Sequence, residues 1–553
     1  MKQEGLIAYW PFEKDCEERA DAGCHATARG VTIAEGARFN GVDSAIEIRD
    51  HPQFRLGAND FSIAVWIHVD DKADVVGDLV SKFDSEARRG FHLGIVSASG
   101  ITSTSQPNYR NVHFGMDNGQ IDKQWTDCGR LGRAVNVKSL ALVKGQLYAG
   151  TFEKEANERG HLWRYEGGRR WTDVGATPDG SNAVPSVIEF DSALYCATGR
   201  YNPIGSSLGA AQNTKAGGRV WRVDPDGRWM DCGKPGAADA VPDDTTVTGG
   251  YETGKADEAT GLTVYRGELY VTSHHRRGAF KYEGGKNWRY IGPNERLMTF
   301  TVFQDRLYAL VNGRSGVYRY EGGAEWTPCG NPESSEQVYS AITYDGKLHV
   351  GTWPGSDLFR YDGLPRHEGG GQPWTNMGRT GYEREIMALA LYNGKLYAGS
   401  LPMANAWRLD ANGFTFVGNV DNTPTVYLRR VWSMAVFQGK LFAGTLPSGR
   451  VQSIEAGRMA TCDHALTAGW HHIVAAREGR KLKLYVDGKL VATSSSFDPP
   501  DYNLTNDQPL RIGHGVGANF CGAMRDLRIH NGALTSEQMN AFSNIRAPPE
   551  THP

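Results

Sequence analysis

A chain of 553 residues is too long for one ordinary hydrophobic core, so two or more domains are expected. Its 68 glycines, 14 tryptophans and 23 tyrosines, with little helical periodicity, favour an all-β architecture in which glycine serves turns and aromatic rings serve pleated faces. The formal net charge of -3 offers no bulk attraction to nucleic acid or an anionic membrane, and no apolar run is long enough to insert in a bilayer as a helix.

Met1 runs almost directly into a strand-like stretch from Gly5 to Phe12, with no signal peptide in front of it. The expectation is a cytoplasmic protein as written, or a secreted or periplasmic one if the sequence is a mature form. Cys16 and Cys24 lie close enough in sequence to pair in an oxidising compartment. Residues Phe61 to His68 alternate as a strand, with Ser62, Ala64 and Trp66 on one face.

From Trp125 the chain repeats itself. A Trp (once Phe) four residues before a Gly recurs at Trp125, Trp171, Trp229, Trp288, Trp326, Trp374 and Phe414. A second phrase, Leu followed by an aromatic or His and then small residues, recurs at Leu147, Leu194, Leu269, Leu307, Leu348, Leu396 and Leu441. Short alternating strands repeated every few dozen residues are the signature of a β-propeller. The first Trp phrase precedes the first Leu phrase, and the last Leu phrase has no Trp phrase after it. The strand at Trp125 is therefore expected to complete the last blade and close a seven-bladed ring, leaving no open edge. Cys128, Cys232 and Cys329 fall at one place in three of these phrases and read as small buried residues.

Beyond the repeats, Leu482 to Val486 alternates, turns at Asp487-Gly488 and resumes at Lys489, a strong hairpin signal. The two flanks together resemble a laminin-G-like, concanavalin A-type jelly roll. The resemblance rests on Tyr9 to Phe12, Phe39 to Asp43, Phe61 to Ile67, Gly469 to Val474, Leu484 to Gly488 and Gly522 to Ile529. It implies a β-sandwich in two parts, residues 1–122 and 458–545, with the propeller at 123–457 inserted in it and a tail at 546–553. It also implies a structural calcium at a sheet edge, for which Asp43 and Asp526 are the matching carboxylates. The Glu-x-Asp-x-x-Glu run of related glucanases is absent, so hydrolysis by the sandwich is not expected.

Propeller ligands usually bind in the funnel formed by loops after the second strand of each blade and between blades. Two such loops, 199–218 and 234–260, are longer than closure of a blade requires. These loops carry Arg200, Tyr201, His274, His275, Arg276, Arg277, Arg314, Arg384, Arg429 and Arg430, with Trp353 and Trp432 nearby. Acids on the same rim are Glu252, Asp257, Glu258, Glu383 and Glu385, which pair with these arginines if the arginines only pin loops. Arginine forks match carboxylate or sulfate, and aromatic rings stack on sugar faces, so the expected partner is an acidic polysaccharide or oligosaccharide. With His274 or His275 as base and Tyr201 as acid, the set suits β-elimination of a uronate, the logic of a polysaccharide lyase, ahead of a glycoside hydrolase. The alternatives are a non-catalytic lectin-like protein and a protein-interaction scaffold. Nothing in the sequence sets an oligomeric state.

Overall fold

The computed structural model describes residues 5–20, 23–34, 36–97, 104, 106–203, 208–236, 258–273, 278–364 and 372–543. The protein is all-β, a β-propeller joined to a concanavalin A-like sandwich, with one short α-helix, Ser536–Ser543, among the described residues.

Both sandwich sheets draw strands from both ends of the chain. In one, Phe61–Val69 pairs on one side with Gly469–Glu478 and on the other with Cys521–Asn531. In the other, Asn111–Asn118 pairs with Arg458–Cys462, and Leu510–Ile512 lies between Ala45–Ile48 and Gly77–Asp84. The strand alternation explains the layering: Phe61, Ile63, Val65, Ile67 and Val69 enter the core between the sheets. The opposite face is covered too, since Ala64 packs under Leu534, Met539 and Phe542 of the C-terminal segment. The hairpin at Asp487-Gly488 has positive φ at both central residues (50° and 74°), the conformation that an Asp-Gly turn adopts at least cost.

Among the described residues, the strands from Thr126 to Ile454 group into seven four-stranded antiparallel units. Six lie within 136–176, 183–231, 259–292, 297–328, 337–379 and 385–419. The seventh joins Arg430–Phe437, Lys440–Leu446 and Arg450–Ile454 to Thr126–Arg130, the strand that precedes the first unit. The sheets of the first two units are linked by one strand pairing, Phe152 with Ala183.

The repeated Trp holds each unit to the one before it. The indole N–H of Trp171 donates to the Cys128 carbonyl, Trp288 to Cys232 and Trp374 to Cys329, at 2.8, 2.8 and 2.9 Å. Trp326 donates likewise to Ile291, and Trp125 to Val417. Phe414 has no such proton, and the Trp229 indole nitrogen is buried without a partner. At those two boundaries inner-strand serines make the joint instead, Ser139 to the Val184 carbonyl and Ser340 to that of Ile386, both at 3.1 Å. Every unit is thus bonded to the next, and the last to the first.

The sandwich reaches into the underside of the propeller. Gln106 both donates to the Val264 carbonyl and accepts from its amide (3.0 and 2.8 Å), and Asn108 does the same with Val436 (2.8 and 2.9 Å). The Pro107 carbonyl accepts from Leu142. Three innermost strands, those holding Leu142, Val264 and Val436, are therefore bonded to one short segment of the sandwich part. Outside it, Lys395 and Asp117 form a fully buried ion pair across the same seam.

Candidate functional site

At the other end of the axis the innermost strands carry bulges. The pairing register shifts between Val137 and Ser139, Val338 and Ser340, Ile386 and Ala388, and Val431 and Ser433. A bulge inserts one residue out of alternation and re-aims its side chain. The residues so placed are Lys138, Tyr339, Met387 and Trp432, and they converge. Met387 and Trp432 share a buried cluster with Phe152, Tyr201, Leu401 and Leu446, with Tyr339 packed against it. The Lys138 ammonium lies 3.9 Å from the centre of the Tyr201 ring and 5.0 Å from that of Trp432.

Charge is concentrated here. Lys138 forms an ion pair with Glu258, and both side chains are buried. Burial pulls the Lys138 pKa below its ordinary value, and the Glu258 carboxylate only partly opposes it. Arg430 donates through Nη1 to the Tyr201 hydroxyl oxygen at 2.8 Å, with its guanidinium 5.3 Å from the Trp432 ring centre. Glu385, at the start of its strand like Arg430, is pushed up to about 8 by burial, against the pull of the Arg430 charge. Burial thus favours its protonated form. Among the described residues, Glu385 Oε1, Arg430 Nε and both amide atoms of the fully buried Asn136 have no hydrogen-bond partner. Asn136, Glu385 and Arg430 each begin an innermost strand, opposite Phe152, Leu401 and Leu446. Buried polar atoms without partners are costly, so such a set at one level of one ring is a natural seat for a polar ligand.

Around this centre lie further loop residues. Arg384 is exposed and donates to the Tyr427 hydroxyl at 3.1 Å. Arg429 contacts the sulfur of Met403 at 3.3 Å, and Tyr382 stands fully exposed. Arg200 and Trp353 are partly buried. Arg314 is 79% exposed and pairs with Glu336 at 2.8 Å, an acid outside the expected set. Glu383 does not pair with an arginine fork; it accepts from Asn405 and from the Met403 amide, pinning a loop.

Of the expected site residues the structure brings Tyr201, Arg430 and Trp432 into one cluster, and it places Arg384 and Arg429 on the rim. His274, His275, Arg276, Arg277, Glu252 and Asp257 lie outside the described residues. Glu258 is no rim acid but the buried partner of Lys138. Lys138, Asn136, Tyr339 and Met387 were not singled out by sequence; the one signal was a Lys within the otherwise apolar run Val137 to Val143. Asp43 and Asp526 are each already engaged. Asp43 accepts from the Asn40 side chain at 2.9 Å, and Asp526 pairs with Arg528 at 2.8 Å. Among the described residues no three His, Cys, Asp or Glu side chains are grouped to hold a metal ion, and no disulfide forms. No helix among them is long and apolar enough to cross a membrane.

Comparison with known proteins bears on the two parts separately. Residues 431–540 match a laminin G family described as the concanavalin A-like lectin/glucanases superfamily. The match covers the second part of the sandwich and begins within the last propeller unit. Among solved structures, the chain is similar to a catalytically inactive virginiamycin B lyase from Staphylococcus aureus with quinupristin. That similarity is at 12% identity and TM-score 0.42, over 60% of this chain and 98% of that one. It is also similar to the WD40 β-propeller domain of Doa1 (12% identity, TM-score 0.39, 60% of this chain and 96% of that one). A nidogen/laminin complex gives 11% identity and TM-score 0.31, over 49% of this chain and 89% of that one. No curated protein matches the chain.

Proposed function

We propose that this protein is a closed seven-bladed propeller inserted in a laminin-G-like sandwich, and that the open mouth of the propeller binds an anionic saccharide. The observation that carries the reading is Arg430, whose guanidinium is oriented by Tyr201 and stacked near Trp432 while its Nε, beside Asn136 and Glu385 in the ring, has no partner among the described residues. A planar cation with donors to spare suits a carboxylate or sulfate. In its protonated form, which burial favours, Glu385 adds a donor where a second charge would repel the ligand. Arg384, Arg429 and the exposed Tyr382 supply a rim that attracts an acidic chain. The lectin-type family match of the adjacent domain is consistent with a sugar ligand.

The test is calorimetric titration with oligogalacturonate and with a neutral oligosaccharide of equal length. The acidic sugar should bind and the neutral one should not. Arg430→Met should weaken binding roughly 10- to 100-fold, the range expected for losing a hydrogen bond to a charged group. Equal binding of both sugars, or an unchanged affinity in the variant, would remove the reading.

A catalytic version is favoured by one contact. Because Arg430 donates to the Tyr201 oxygen, the phenol is oriented to give its own proton elsewhere. In an elimination, a base (His274 or His275) would take the proton beside the uronate carboxyl, the bond to the leaving oxygen would break, and Tyr201 would protonate that oxygen. The same titration mixtures, followed by the absorbance of an unsaturated uronate, separate the lyase from the lectin.

A further inference from the structure

A cleft of about 610 Å3 opens between the units at 259–292 and 297–328, away from the mouth, with Val42 of the sandwich at one end. Its floor is built of buried tyrosines, Tyr265, Tyr270 and Tyr320, whose rings lie 5.9 and 6.2 Å apart in succession. Its walls carry four cations, Arg266, Lys281, Arg289 and Arg306, against two carboxylates, Asp305 and Glu321. The sequence repeat explains the gathering. Arg266 and Arg306 sit in or after the turns that join the two innermost strands of neighbouring units, and Lys281 and Arg289 sit on the outer strands of one of them.

The ion pairs that these cations make are weak anchors. Arg266 meets Asp305 at 2.7 Å and Arg306 meets Glu321 at 3.3 Å, but the arginine side chains are 55% and 51% exposed. Exposed pairs of this kind contribute between about 0 and 1 kcal/mol. Arg266 donates to Asp305 through Nη2 and Arg306 to Glu321 through Nη1, so donors remain on each five-donor fork. Lys281 and Arg289 pair with Glu268 and Glu283, which do not line the cleft, so the lining itself carries more cations than carboxylates. The volume is that of a small-molecule site rather than a groove for a folded partner.

We propose that this cleft is a second binding site, for a small oxyanion-bearing ligand held by Arg266 and Arg306, independent of the mouth. The full chain is titrated with inorganic sulfate, inorganic phosphate and glucuronate, which separates a free inorganic anion from a carboxylated sugar as the source of the oxyanion. At least one should bind, more weakly as salt is raised, and the double variant Arg266→Gln/Arg306→Gln should weaken it about tenfold or more. Arg430→Met should leave this binding unchanged, so the two sites fail separately. All substituted side chains are exposed or partly so, and thermal melts of the variants confirm that the fold is retained. Binding by none of the three probes, binding indifferent to the double substitution, or binding lost with Arg430→Met would each overturn the proposal.

Discussion

At the scale of single residues, the repeated Trp is a bonding device more than a core filler. Its ring packs on the Tyr of its own unit, as Trp374 does on Tyr361 at 4.9 Å, while its N–H crosses to the neighbouring unit. Trp374→Phe keeps the ring and deletes the cross-bond, leaving a carbonyl unmet. It is expected to cost about 1 kcal/mol, read from the midpoint of chemical unfolding. Trp229→Phe removes an N–H that already lacks a partner and should fall within about 0.5 kcal/mol of the parent. Equal effects of the two substitutions would contradict the bonding role. The Trp phrase was visible in the sequence because the spacing to Gly repeats. What the N–H does was not, because its acceptor lies on another unit, 43 to 56 residues back in the cases of Trp171 and Trp288.

At the scale of elements, two features position the site: the bulged innermost strands and the segment under the axis. The strands themselves were legible from alternation and turn residues. The bulges were not, since a one-residue register shift depends on which residue of the partner strand is met. Lys138 thus lay hidden in what reads as an ordinary strand, while Arg430 and Tyr201, which the structure places in the same cluster, were singled out because loop arginines and aromatics stand out. The contacts of Asn108 were equally silent, made with a residue 328 positions away. Asn108→Ala would leave the buried N–H and carbonyl of Val436 unsatisfied. It is expected to lower stability by about 2 to 4 kcal/mol, at about 1 to 2 for each orphaned group. A change below about 0.5 kcal/mol in a denaturant melt would show that the segment is not a structural anchor.

For the whole molecule, the seam and the axis bury carboxyls that resist ionisation. Asp78, which accepts from the Gly517 amide at 2.6 Å, is pushed up to about 7 by burial, and Glu385 to about 8. A carboxyl whose folded pKa is raised holds its proton longer than in the unfolded chain, so its contribution is fullest in acid and is lost as pH rises through the folded value. The buried His92, His113 and His472 work the other way, with pKa values lowered to about 4, 3 and 4 by burial; their contribution is lost as pH falls below the ordinary imidazole range. Above pH 6.5 the lowered histidines contribute in full, and the raised carboxyls act in the downward direction. Thermal stability should therefore decline between about pH 6.5 and 8.5, and Asp78→Asn should flatten that decline by on the order of 1 kcal/mol. A flat or rising profile over that interval would contradict the assignment.

The presence of a propeller and a sandwich was readable because repeats and flanking motifs are local patterns, whereas the set of polar groups at the mouth exists only once several units meet. That set is the basis of the functional proposal, and a crystal structure of the protein soaked with oligogalacturonate tests it most directly. The expected result is a uronate carboxylate within hydrogen-bond distance of Arg430, with its sugar ring against the Trp432 and Tyr201 side of the mouth. An empty mouth at saturating sugar, or sugar seated on the sandwich alone, would contradict the account.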